Sequence, residues 1–197
     1  MGMSTFYVII RIIYGEKLEA PNMSTHDLLE KCCFSSSHKT YINAIINEVF
    51  NYYGQNLAGF AVFGSYARFE NRKNSDLDLL IILNEAPCRT ERVSDFTNQI
   101  EMKYEHVAQS IYEQEEILCD LSPYILTVEE ASTFHPIYSD LIEHCMILHD
   151  PKNLIKHIIA STKTLLRVNG AQKIRRNNSW EWQLKRYLGG VKLYEKR

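Results

Sequence analysis

The residues best suited to chemistry lie in one stretch, Gly64-Ser65-Tyr66-Ala67-Arg68-Phe69-Glu70-Asn71-Arg72-Lys73-Asn74-Ser75-Asp76-Leu77-Asp78. A glycine–serine pair is followed, ten residues later, by two aspartates separated by one leucine. Side chains two apart in a strand share a face, so Asp76 and Asp78 would project together, roughly 7 Å apart along the chain. Two carboxylates that close repel unless a cation lies between them. Hard oxygens suit Mg2+, which keeps several waters and takes its remaining ligands from substrate phosphates. Gly64 lets the backbone come close to a phosphate. Ser65 brings a hydroxyl and a main-chain N–H near an expected helix start, where anions are favoured. An isolated Asp-x-Asp is commonly an exposed turn. Here the pair runs straight into Leu79-Leu80-Ile81-Ile82-Leu83, and packing gives no reason to begin a core strand with two acids.

The elements that must hold this segment follow from hydrophobic period. Tyr41, Ile42, Ile45, Ile46, Val49 and Phe50 recur at three- and four-residue spacing and predict a helix over 37–53, stopped by Gly54. Phe60-Ala61-Val62-Phe63 predicts a buried strand ending at Gly64, and Leu77–Leu83 a second. Residues 89–112 read as one helix with Val93, Phe96, Ile100, Val107 and Ile111 inward. Residues 117–128 read as a third strand region broken by Pro123, and Glu129 to Glu143 as helix and turn around Pro136. Met146-Ile147-Leu148 reads as a short strand. A further helix beginning at Asp150-Pro151 would bury Leu154, Ile155, Ile158, Ile159, Leu165 and Leu166, with Lys152, Lys156, Lys163 and Arg167 as a basic stripe elsewhere on it. The first 37 residues hold a strand-like run, Tyr7-Val8-Ile9-Ile10 and Ile12-Ile13-Tyr14, and a short helix capped by Ser24 or Thr25. Alternating helices and short strands predict an α+β or α/β domain.

Composition narrows the class. With 197 residues, 45% of them hydrophobic and 23% charged, the chain suits one core and is not disordered throughout. No apolar run approaches the ~20 residues of a membrane span, so no membrane association is expected. Five cysteines without CxxC pairing predict reduced thiols and a cytoplasmic protein, and seven scattered histidines predict no zinc site. The net charge of −2 hides an asymmetry: after Asp150 twelve Lys and Arg face two Glu, a balance of +10, against −12 before it. That split asks for an acidic partner or substrate.

The segment GSYARFENRKNSDLDLLIIL resembles the signature of the polymerase β-type nucleotidyltransferase superfamily, and particularly its short stand-alone minimal nucleotidyltransferases. That pattern is Gly-Ser, ten residues, then Asp-x-Asp, and Gly64, Ser65, Asp76 and Asp78 meet it. The resemblance is strong over residues 58–83, weaker through the later strands and Trp180-Glu181-Trp182, and does not cover residues 1–37. Phe69 departs from it, because glycine often precedes the glutamate there. The resemblance implies a mixed β-sheet flanked by helices. Around that core (38–150) stand an N-terminal extension (1–37) and a basic C-terminal helical or strand extension packed on it (151–197).

It also implies transfer of a nucleoside monophosphate, AMP above all, from an NTP to an acceptor hydroxyl. Asp76 and Asp78 would hold two Mg2+ ions, Ser65 the β- and γ-phosphates, and Gly64 and Arg68 would complete the nucleotide site. The family needs a third carboxylate on a neighbouring strand as metal ligand or base. Asp120 is the best-placed acid, inside what reads as an apolar strand, with Glu115 and Glu116 as substitutes. For the acceptor, short relatives are often paired with a HEPN-type toxin that they silence by adding AMP to a tyrosine, and the +10 tail suits such a macromolecule or an RNA. A tRNA 3′ end, an aminoglycoside-type small molecule, and a non-catalytic antitoxin acting by contact are the alternatives. Oligomeric state is left open.

Overall fold

The computed structural model describes residues 25–176, 179–183, 185 and 187–194; the strand expected at residues 7–14 lies outside them, as does Ser24. In chain order the helices are α1 (Thr25–Lys31), α2 (Ser36–Tyr53), α3 (Gly64–Ala67), α4 (Arg89–Gln99), α5 (Glu105–Glu115), α6 (Val128–Ala131), α7 (Tyr138–Leu141) and α8 (Leu154–Val168). The strands are β1 (Leu57–Phe63), β2 (Leu77–Leu83), β3 (Leu121–Thr127) and β4 (Met146–His149), with a separate hairpin of β5 (Gln172–Arg176) and β6 (Ser179–Gln183).

The four-stranded sheet has the order β3-β2-β1-β4, with β2–β3 parallel and the other two pairs antiparallel. All seven residues of β1 are buried, and in β2 only Asp78 is less than fully buried. Such uninterrupted apolar runs mark strands covered on both faces. On one face Leu77, Leu79, Ile81, Phe60 and Val62 pack under α1, α2, α4 and α5. On the other, Leu80, Ile82 and Ala61 pack under α6, α7 and α8. The result is a mixed α+β domain with a helical layer on each side of a mixed sheet. Each fully buried aliphatic side chain contributes about 1.5–3 kcal/mol, so the β2 run from Leu79 to Leu83 outweighs the cost of two acids at its mouth.

Several details differ from the sequence expectations. The helix expected over 89–112 is two helices, because the chain turns through a 3-10 segment at Glu101–Tyr104 after fully buried Ile100. Val93, expected inward, is 38% exposed; Arg92, one turn before Phe96, takes the inward place at 5%. Its guanidinium makes two 2.7 Å bonds to Glu130, which makes that burial tolerable. The third strand begins at Leu121 and Pro123 does not break it. β3 is an edge strand, where a missing backbone donor leaves no partner unsatisfied.

Residues on either side of the expected core pack into it. Leu28 and Cys32 are buried among Tyr66 and Ala67. Past α8, Leu188 and Leu193 are buried in the second cluster and Trp182 packs against it. Backbone bonds from Phe134 to Val191 and from Leu193 to Ser132, both 2.7 Å, stitch this return segment to the domain. Among the described residues no helix is long and apolar enough to cross a membrane, and the five cysteines are free thiols.

Candidate active site

β1 and β2 pair in a register that sets Phe63 opposite Asp78. The residue after Phe63 is Gly64, so the chain turns away from the sheet directly beside that carboxylate. A Cβ placed on Gly64 would lie 1.9 Å from Asp78 Oδ2, and Gly64 has φ +69. Both the close approach and the left-handed backbone require glycine here. Asp76 and Asp78 lie on the face of β2 shared with Leu80 and Ile82, below α7 and α8.

Burial is the main influence raising the Asp78 carboxyl above its ordinary range. The Ser122 hydroxyl, opposite it in the β2–β3 register, and the Arg68 guanidinium oppose that rise, while Asp76 and Asp140 add to it. Asp140, on α7, is itself raised by partial desolvation and lowered by Arg68 and Lys173. The Arg68 charge thus acts on two acids of the site while its Nε donates to Glu70 at 3.0 Å.

The turn carrying Ser65 is closed by backbone bonds. Phe69 N–H donates to Tyr66 O at 3.1 Å and Glu70 N–H to Ser65 O at 3.0 Å, with Phe69 at φ +58. This is a Schellman ending on a very short helix, with an aromatic residue where glycine is usual. An unstrained glycine would save about 1–2 kcal/mol there. The exposed Phe69 ring carries the Lys31 ammonium 5.1 Å from its centre, one contact that compensates. The Ser65 hydroxyl makes no hydrogen bond to the described residues.

The structure thus brings Gly64, Ser65, Arg68, Asp76 and Asp78 to one end of the sheet. Asp120 is placed differently from its expectation. It precedes β3 rather than lying within it, and its side chain is exposed. Its carbonyl accepts from Leu77 N–H at 2.9 Å, which continues the parallel ladder and sets it opposite Asp76. Its charge is felt by Cys119 and Tyr41, whereas the further acid whose charge reaches Asp78 is Asp140. Nothing in local sequence marks Asp140. It lies 62 residues beyond Asp78, in a four-residue helix, and only the packing of α7 on the sheet brings it near.

Among the described residues no three His, Cys, Asp or Glu side chains cluster as a metal cage. What fits a divalent cation is a pair of hard carboxylates on one strand face, one of them raised above its ordinary range by burial first and by its neighbour as well. Such a pair suits Mg2+, whose other ligands come from water and phosphate.

The sequence matches the family of nucleotidyltransferase domains over residues 42–156. No curated protein sequence matches the chain. Among solved structures, a toxin–antitoxin complex with AMP-PNP is similar at TM-score 0.39 and 14% identity, over 64% of this chain and 90% of that one. The toxin–antitoxin MntA-HepT aligns at 0.37 and 13%, over 66% and 87%. A tri-AMPylated Shewanella oneidensis HEPN toxin in complex with MNT antitoxin aligns at 0.37 and 13%, over 67% and 92%. The assignment rests on the family match: it spans more than half of the chain and the whole Gly64–Asp78 segment, and the chain belongs to the nucleotidyltransferase domain family.

Proposed function

We propose that this nucleotidyltransferase moves AMP from ATP to a hydroxyl of a partner protein, a HEPN-type toxin, and acts as its antitoxin. The observation that carries the chemistry is the Gly64 backbone lying directly against Asp78, which sets the serine turn beside the two strand acids at one end of the sheet. Asp76 and Asp78 are the residues suited to hold Mg2+, two ions in the full reading, and bound Mg2+ supplies positive charge against the triphosphate. Ser65 O–H and the turn's backbone hold the β- and γ-phosphates, and Arg68 orients the chain of phosphates from the rim.

In the reaction the acceptor oxygen forms a bond to the α-phosphorus, the bond from that phosphorus to the bridging oxygen breaks, and pyrophosphate leaves. The acceptor proton passes to a carboxylate on the acceptor side. Asp120, opposite Asp76 just before the neighbouring strand, is assigned this role, with Asp140 as its rival. The reading of a macromolecular acceptor is supported by the +10 balance after Asp150 and by the motif's resemblance to the short toxin-paired nucleotidyltransferases. Free thiols accord with action in the cytoplasm.

The test is transfer of label from α-labelled ATP, with Mg2+, to a co-expressed partner, compared with bulk tRNA and across the four NTPs. Partner labelling that disappears in the Asp76→Ala, Asp78→Ala double variant, with folding intact, is the expected result. Equal labelling by the double variant would overturn the catalytic assignment, and labelling of tRNA alone would overturn the acceptor.

A further inference from the structure

A set of buried polar contacts ties the phosphate-binding turn to residues that lie before the family match begins at residue 42. Tyr66, next to Ser65, is 1% exposed, and His38, near the start of α2, is fully buried. The His38 Nε2 and Tyr66 Oη lie 3.3 Å apart. Phe34 N–H donates to His38 Nδ1 at 3.3 Å. With Nδ1 accepting, the neutral ring carries its proton on Nε2 and donates it to the tyrosine oxygen. The Asn71 side chain lies close enough to that hydroxyl to favour its ionised form, and donates to Cys32 O at 2.8 Å. Cys32 Sγ lies 3.3 Å from Tyr66 O, its thiol donating. The Phe34 ring stacks on His38 at 5.6 Å and 4° and fixes the plane of the imidazole.

Three separate segments therefore converge on one residue of the turn: the α1–α2 junction through Cys32, α2 through His38, which Phe34 holds in place, and the loop after the turn through Asn71. Ordinary packing would be met by apolar side chains at these positions. Buried polar groups cost free energy unless fully paired, and this set is paired around Tyr66. Phe69, at the far end of the turn, holds a left-handed φ of 58 that a non-glycine residue adopts only at a cost, so the surroundings must over-determine it.

We infer that His38 is a positioning residue for nucleotide binding: through Tyr66 it holds the Gly64–Ser65 turn in the conformation that receives the triphosphate. The inference rests on the nucleotidyl-transfer reading and deepens it. Its action is on binding, because a misplaced turn weakens phosphate contacts made alike in the ground and transition states.

The experiment measures ATP affinity in the presence of Mg2+ by calorimetry, together with KM and kcat, for the full chain. Tyr66→Phe and His38→Phe keep rings of similar shape and remove the bond. Each raises the dissociation constant and KM for ATP by about fivefold, the value of one buried hydrogen bond, with kcat within twofold. His38→Gln, whose amide can donate from near the Nε2 position, recovers part of the affinity. Ile46→Val, further along the same helix and in the same core, lowers stability without changing affinity. If His38→Phe does not fold, Tyr66→Phe decides. Tyr66→Phe binding ATP like the parent overturns the inference, as does an equal loss of affinity in Ile46→Val. A parent chain that binds no ATP overturns the nucleotide reading itself, and the inference with it.

Discussion

Replacing Gly64 by alanine tests the geometry on which the site depends. The new methyl would sit 1.9 Å from Asp78 Oδ2 and 2.9 Å from its Cγ, at a backbone φ of +69. The left-handed conformation costs an L-residue about 1–2 kcal/mol. Relieving the overlap adds about 1–3 kcal/mol, in the range of an overpacked site. Gly64→Ala should therefore lose about 2–5 kcal/mol in urea unfolding. In an Asp78→Ala background the carboxylate is gone and the nearest remaining atom is Asp78's Cβ position at 3.2 Å, which needs only a small shift. The same glycine substitution should then cost only the conformational part, about 1–2 kcal/mol. The two costs differ by about 1–3 kcal/mol, a coupling well above the additivity error of such cycles. Unfolding midpoints of the four proteins, at equal slope, supply the measurement. Equal costs in the two backgrounds would show that Gly64 and Asp78 do not meet, and the assembled site would go with them. Gly64→Ala with full transfer activity would refute it as directly.

The other predictions follow from charge and burial. Asp78→Asn abolishes labelling of the acceptor yet raises the melting temperature of the nucleotide-free protein, because burial and Asp76 both disfavour the ionised side chain. Glu130 is held down to about 2, chiefly by Arg92, against an ordinary value of 4.5. Its contribution to stability is complete above pH 4.5 and is lost as pH falls toward 2, and acid unfolding of Glu130→Gln should lack that component. Burial lowers the His38 imidazole below its ordinary 6.5, while Glu115, the charged group facing it from the end of α5, opposes this; the Tyr66 hydroxyl faces it from α3. The unfolded chain then binds the proton more readily, so stability falls as pH drops below 6.5, and His38→Phe should remove that slope.

Local pattern made much of the scaffold legible. The strand Leu77–Leu83 has the bounds its apolar run predicts, and the helix over 36–53 ends at Gly54 as its period requires. What failed did so where a long-range partner decided the outcome. Arg92 is buried because Glu130, on another element, neutralises it. Pro123 stays in a strand because that strand lies at the sheet edge. Asp120 reads as a strand residue because Ile117 and Leu118 are apolar like the strand after it, yet only pairing with β2 sets where β3 begins.

The residue types and spacing of Gly64, Ser65, Asp76 and Asp78 determine by themselves that two acids share a face and that a glycine turn precedes them, because strand alternation and glycine's backbone freedom are local properties. Whether that turn and those acids come together is not local. It depends on β1 returning antiparallel beside β2 with Phe63 opposite Asp78, a register that the packing of both sheet faces selects. The same packing, not any spacing in the chain, sets Asp140 near Asp78 and His38 under Tyr66, since contacts between distant segments form only when the whole core closes.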